Sequence, residues 1–81
     1  MQDRIRAVLA AYGRMAVDPH TIDGEANLYE LGLTSHASVG VLLALEDAFD
    51  IEFPDEALRK STFASVSNIE RVVEGLVKSP A

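Results

Sequence analysis

Apolar side chains recur at helical spacing in separate stretches of this chain, and the pattern lapses between them. Ile5, Val8, Leu9 and Tyr12 fall at i, i+3, i+4 and i+7, which predicts a helix from about Asp3 to Gly13 with those four on one face. From Arg14 to Thr34 the periodicity fails, and Asp18-Pro19, Asp23-Gly24 and Asn27 are turn formers, so a long loop is expected. A loop of that length in a compact domain needs internal anchors. Asn27-Leu28-Tyr29-Glu30 reads as a capping box around one helical turn, with Leu28 and Leu31 pinning the loop onto the core.

Ser35 to Phe49 is the longest apolar-rich run and predicts the central helix, with Val39, Leu42, Leu45 and Phe49 at helical spacing and Glu46 and Asp47 to one side. Pro54 supplies a first-turn residue, and Asp55 and Glu56 put negative charge where the helix dipole favours it. A short helix through Leu58 is expected, ending at Lys60 and Ser61. The last helix carries Val66, Ile69, Val73, Leu76 and Val77 on one face and starts either at Ser65 or at the Ser67-to-Glu70 capping box. No alternating strand pattern, repeat or low-complexity tract interrupts this order. The expected architecture is all-α, a four-helix bundle with a long first loop and a short third helix. A single domain spans 1–81, with residues 79–81 as a frayed tail.

Composition narrows the function. At 81 residues there is room for one core and little room for a deep catalytic cavity, so the working residues belong on the surface. Thirteen acidic against seven basic side chains give a net charge of -6, which repels nucleic-acid phosphates and anionic lipid headgroups and favours basic protein partners. The chain has no cysteine, so disulfides and thiolate chemistry are excluded. No run approaches the roughly 20 apolar residues that span a bilayer, and Met1-Gln2-Asp3-Arg4 lacks a signal-type apolar core; the expectation is a monomer in the cytoplasm, on neither membrane nor nucleic acid.

Leu31-Gly32-Leu33-Thr34-Ser35-His36 carries most of the functional information, because it delivers Ser35 from a glycine-containing turn onto the start of the central helix. There the unpaired N–H groups and the positive end of the helix dipole favour a phosphodiester on that hydroxyl. Serine is also a favoured N-cap, so on local sequence alone Ser35 reads first as a cap, although Thr34 could take that role and free Ser35.

Asn27 to Ser35, followed by Ala44-Leu45-Glu46-Asp47-Ala48-Phe49-Asp50-Ile51-Glu52-Phe53-Pro54-Asp55-Glu56, resembles the acyl carrier protein family in residues and in the spacing between blocks. The resemblance runs from about Ile5 to Val77. It implies the acyl-carrier-protein-like bundle, and it implies a carrier rather than an enzyme. Ser35 then stands where the family attaches phosphopantetheine from coenzyme A, and the arm's thiol holds an acyl or aminoacyl group as a thioester for transfer between enzymes.

It further implies a phosphopantetheinyl transferase, a cargo-loading ligase and a downstream transferase as partners. The sequence departs from the family's Asp-Ser-Leu motif, having Thr34 and His36 around the serine and Ala37 and Gly40 at positions usually acidic. Those departures suit a dedicated partner set. Thr-Ser-His resembles stand-alone carriers that receive aminoacyl groups from ligases related to class II aminoacyl-tRNA synthetases. The expected partner surface is Thr34, His36, Val39, Gly40, Glu46, Asp47, Asp55 and Glu56.

Three other readings compete. Ser35 and His36 suggest a hydrolase, but adjacent helical side chains diverge by about 100° and no orienting acid is evident. Asp18, His20, Asp23 and Glu25 suggest a metal loop, but their spacing fails the EF-hand order, and no metal is expected. Leu33, Val39, Leu42, Phe53 and Phe63 either line a groove for an acyl cargo or form ordinary core. The alternative from another class is an unmodified acidic helical adaptor, in which Ser35 is only a cap.

Overall fold

A computed structural model describes residues 1–78, so the predicted tail at 79–81 lies outside the described residues. Three α-helices form, α1 (Gln2–Tyr12), α2 (Ser35–Phe49) and α3 (Val66–Lys78), and no strand occurs among the described residues. Two 3-10 turns, Asp55–Ala57 and Lys60–Phe63, occupy the place of the expected short third helix. The bundle is therefore all-helical as anticipated, with its third member replaced by a pair of tight turns.

The replacement has a local cause. Pro54 enters in an extended conformation, the Ala57 N–H reaches the Pro54 carbonyl at 2.9 Å, and Leu58 leaves helical space at ψ 61°. Each turn buries what it has to bury, Ala57 in one and Thr62 and Phe63 in the other, and an α-helical register would separate those contacts. Phe63 packs on Phe53 with ring centroids 5.7 Å apart and planes tilted by 59°, a favourable aromatic geometry.

One apolar cluster holds the helices together, with Ile5 and Leu9 from α1, Val41 and Leu45 from α2, and Val66, Ile69 and Val73 from α3. Helix α2 turns a different face inward than its spacing suggested. Ala37, Val41 and Leu45 are buried, Leu42 and Phe49 are half-buried, and Val39 is 56% exposed. A helix apolar on most sides gives periodicity little to choose between, and small Ala37 permits close approach to its neighbours. Tyr12 and Val77, expected on buried faces, are likewise exposed at their helix ends. Ser65, not Ser67, caps α3: its Oγ accepts from the Asn68 N–H at 3.1 Å.

The long loop is tied down at several points. Arg6 donates from Nη1 to the carbonyls of Pro19 at 2.8 Å and Ile22 at 2.6 Å, so one guanidinium on α1 gathers two turns of the loop. Asp18 accepts from the His20 N–H at 2.9 Å, a bond that with the His20 ring holds its carboxyl below the usual range. Asp23 accepts from Glu25, and Asn27 from Tyr29 and Glu30, as Asx turns do. Leu28 is fully buried, and its N–H donates to Ala64 at 2.7 Å, while Leu31 is only half-buried and adds less than expected. Gly32 is required where it stands: φ is +110°, and a Cβ there would lie 3.3 Å from the Ala16 nitrogen.

Replacing Arg6 with Met keeps the aliphatic stem and removes both carbonyl contacts. The variant should lose about 2 kcal/mol in urea denaturation, with hydrogen exchange accelerated first at the loop amides. An unchanged midpoint would show that the loop's own turns suffice to hold it.

Candidate functional site

The start of α2 divides its work between two neighbouring hydroxyls. Thr34 is the N-cap, with φ -95° and ψ 160°, and its Oγ1 accepts from the Ala37 N–H at 3.0 Å. The Ser38 N–H reaches the Thr34 carbonyl at 2.9 Å, and the Ser38 hydroxyl donates to the Ser35 carbonyl at 2.7 Å. Ser35 is thus the first residue of the helix and not its cap. It is exposed, and among the described residues no hydrogen bond engages its hydroxyl.

No acidic residue lies in the first turn of α2, so nothing there opposes a phosphate on Ser35. The N–H groups of the opening turn supply positive potential. The residues present fit a phosphodiester.

Ser35 borders a groove of about 400 Å³ that also involves Ser38, Val39, Leu42, Leu58, Arg59, Lys60 and Phe63. A second hollow, about 520 Å³, lies on the other side of Val39, between the end of α1 and α2; Arg14, Thr34, His36, Gly40 and Leu43 contribute to it. Of the residues expected to form a cargo groove, Val39, Leu42 and Phe63 do so, whereas Leu33 and Phe53 are core.

The expected partner surface separates into two regions. Thr34, His36, Val39 and Gly40 gather around Ser35, and nothing lies within 4 Å of where a Gly40 Cβ would stand. Glu46 lies 11 residues further along α2, about 16 Å by helical rise, and is half-buried with Oε2 accepting from the Phe53 N–H at 2.8 Å. It fastens the chain after α2, which passes through Asp50 at φ 54°. Asp47, Asp55 and Glu56 are exposed.

The sequence reading missed the cations. Arg59 and Lys60 line the groove that Ser35 borders, so Ser35 shares it with two cations in an acidic protein, while Arg14 lines the second hollow. Lys60 lies 4.9 Å from the Tyr29 ring centroid, and the Tyr29 hydroxyl donates to the Lys60 carbonyl at 3.1 Å. Burial pushes the Tyr29 phenol up, partly offset by the Ser38 hydroxyl. The available signal was two adjacent cations after Leu58, which read only as a helix end.

Among the described residues no hydrogen bond joins His36 to Ser35, no three side chains gather to hold a metal, and no helix is long and apolar enough to cross a membrane. His20 pairs with Asp18 at 2.9 Å on the loop surface.

A family model described as the phosphopantetheine attachment site matches residues 3–73. An aminoacyl carrier protein of Agrobacterium fabrum is 47% identical over 74 residues, 91% of this chain and 89% of that protein. An acyl carrier protein of Syntrophobacter fumaroxidans is 34% identical over 82 residues, 100% of this chain and 93% of that protein.

Among solved structures, the chain resembles the Agrobacterium tumefaciens carrier protein complexed with an engineered Bradyrhizobium japonicum glycine:carrier protein ligase and AMP. The TM-score is 0.88 at 47% identity, covering 91% of this chain and 99% of that one. The Bradyrhizobium japonicum ligase complex with a glycylated carrier protein matches with TM-score 0.74 and 28% identity, over 88% and 95% of the two chains.

The division of roles at α2 is measurable by stability. Thr34→Ala should lose about 1 kcal/mol in chemical denaturation, and Ser35→Ala should stay within about 0.5 kcal/mol of the parent. The reverse order would make Ser35 the cap.

Proposed function

Because this chain belongs to the phosphopantetheine-attachment family of carrier proteins, we propose that Ser35 bears its arm and that an amino acid is its cargo. The phosphopantetheine supplies the thiol on which an acyl or aminoacyl group travels as a thioester. The chain itself is a carrier and not an enzyme. The observation that carries the assignment to Ser35 is the Thr34 cap. With the first orphan donor satisfied by Thr34, the exposed Ser35 hydroxyl is spare for modification. The adaptor alternative needs Ser35 as the cap, and that role is filled.

Each residue then has a defined part. Thr34 and Ser38 fix the first turn, so the arm leaves from a rigid point. The unopposed helix start and the nearby Arg59 and Lys60 favour the phosphodiester charge. A phosphopantetheinyl transferase must install the arm from coenzyme A, since among the described residues no base is hydrogen-bonded to the Ser35 hydroxyl. Loading and offloading fall to a ligase and a downstream transferase.

Two features support an amino-acid cargo and a ligase partner. The relatives in the ligase complexes share 47% and 28% identity with this chain, and one of them is glycylated. The hollow on the far side of Val39 is lined by His36 and Gly40 and, among the described residues, by no acidic side chain, so an acidic ligase would meet no like charge there. Such contacts are small and transient, and Asp47, Asp55 and Glu56 steer basic partners from further away.

Incubated with coenzyme A and a broad-specificity phosphopantetheinyl transferase, the chain should gain one phosphopantetheine by intact mass. Ser35→Ala should gain none while keeping its helical circular dichroism. With ATP, glycine and a glycine:carrier protein ligase, the modified form should gain one glycyl group. Modification of Ser35→Ala would sink the site assignment, and a modified form that stays unglycylated would sink the cargo.

A further inference from the structure

The groove between α2 and the two 3-10 turns combines an apolar lining with a one-signed rim. Val39, Leu42, Leu58 and Phe63 supply apolar surface, Arg59 and Lys60 supply positive charge, and among the described residues no carboxylate lines it. The Lys60 ammonium lies 4.9 Å from the Tyr29 ring centroid, a contact that limits its range of positions. Ser35 stands on the same groove, and a group tethered there meets it at a local concentration far above that of a free ligand.

An aminoacyl thioester keeps a free α-amino group, which titrates near pH 8 and is largely an ammonium at neutral pH. On entering, that ammonium would give up water without gaining an acceptor from the apolar lining, and would approach two like charges. An uncharged chain of equal size meets neither penalty, and its apolar surface favours the groove.

We propose that Arg59 and Lys60 make this groove a charge filter: it accepts uncharged acyl chains and keeps the ammonium of an aminoacyl cargo in solvent. The inference rests on Ser35 as the attachment residue. It gives the carrier a way to present an amino acid to the next enzyme without first extracting it. The same two cations face the arm's phosphodiester with opposite charge, so the arm is held near its root while its loaded end stays out.

The test attaches two amide analogues of the loaded arm to Ser35, one glycyl and one propionyl, which differ by an ammonium in place of a methyl. Methyl carbon–proton spectra of Val39, Leu42 and Leu58 are compared with those of the unloaded arm. Propionyl should shift these methyls and glycyl should leave them unmoved. In an Arg59→Glu/Lys60→Glu variant, glycyl should shift them as well.

Equal shifts from both cargoes, no shift from propionyl, or a glycyl group still excluded from the charge-reversed groove would each overturn the filter. Intact mass is read before the spectra. Failure to attach either analogue to Ser35 refutes the carrier assignment and the filter together, whereas attachment with the wrong pattern of shifts refutes the filter alone.

Discussion

The bond from the Ala37 N–H to Thr34 Oγ1, 3.0 Å long, decides what Ser35 is free to do. A helix start must satisfy its orphan N–H groups, and a hydroxyl at the first boundary position is the cheapest way to do it. Two hydroxyls compete here. Thr34 sits in the extended conformation that a cap requires, at φ -95° and ψ 160°, which leaves Ser35 in the first turn with a hydroxyl that no hydrogen bond engages among the described residues. Local helix chemistry thereby produces an exposed hydroxyl in a field that suits a phosphate.

Contacts from much of the chain hold the start of α2 in place, as the proposed role of Ser35 requires. Arg6 draws in the loop at Pro19 and Ile22, Leu28 plugs into the core and bonds Ala64, and Gly32 makes a turn that a side chain would obstruct. At the other end of α2, Glu46 bonds the Phe53 N–H and brings Phe53 onto Phe63. Phe63 in turn lines the groove beside Ser35. Core packing and site geometry are therefore one continuous set of contacts.

The elements that bury a clear stripe were legible in the sequence. Helix α1 and helix α3 repeat apolar residues every three to four positions, and α2 has the bounds its composition suggested, Ser35 to Phe49. The inward face of α2 was not legible, because Val39, Val41, Leu42 and Leu43 offer apolar residues on every side, and only packing, chiefly against α1, selects Val41. The short third helix lies where it was expected, at Asp55–Ala57 with Leu58 after it, but its 3-10 form and the second turn at Lys60–Phe63 were not legible, since Pro54, Asp55 and Glu56 signal a helix start without fixing its hydrogen-bond pattern. At the site, Ser35 and the Thr34 alternative could be found from local chemistry. Arg59 and Lys60 could not, because they come to the groove beside Ser35 only through the tertiary fold. Glu46 shows the converse: a residue that looks like surface charge in the sequence is occupied as a fastener.

Intact mass of the protein purified from its own cells, with tandem mass spectrometry to place any added group, tests the central claim most directly. The account predicts phosphopantetheine on Ser35 and, in the loaded fraction, a glycyl or other aminoacyl group on its thiol. An unmodified chain, or an arm on any residue other than Ser35, would contradict it.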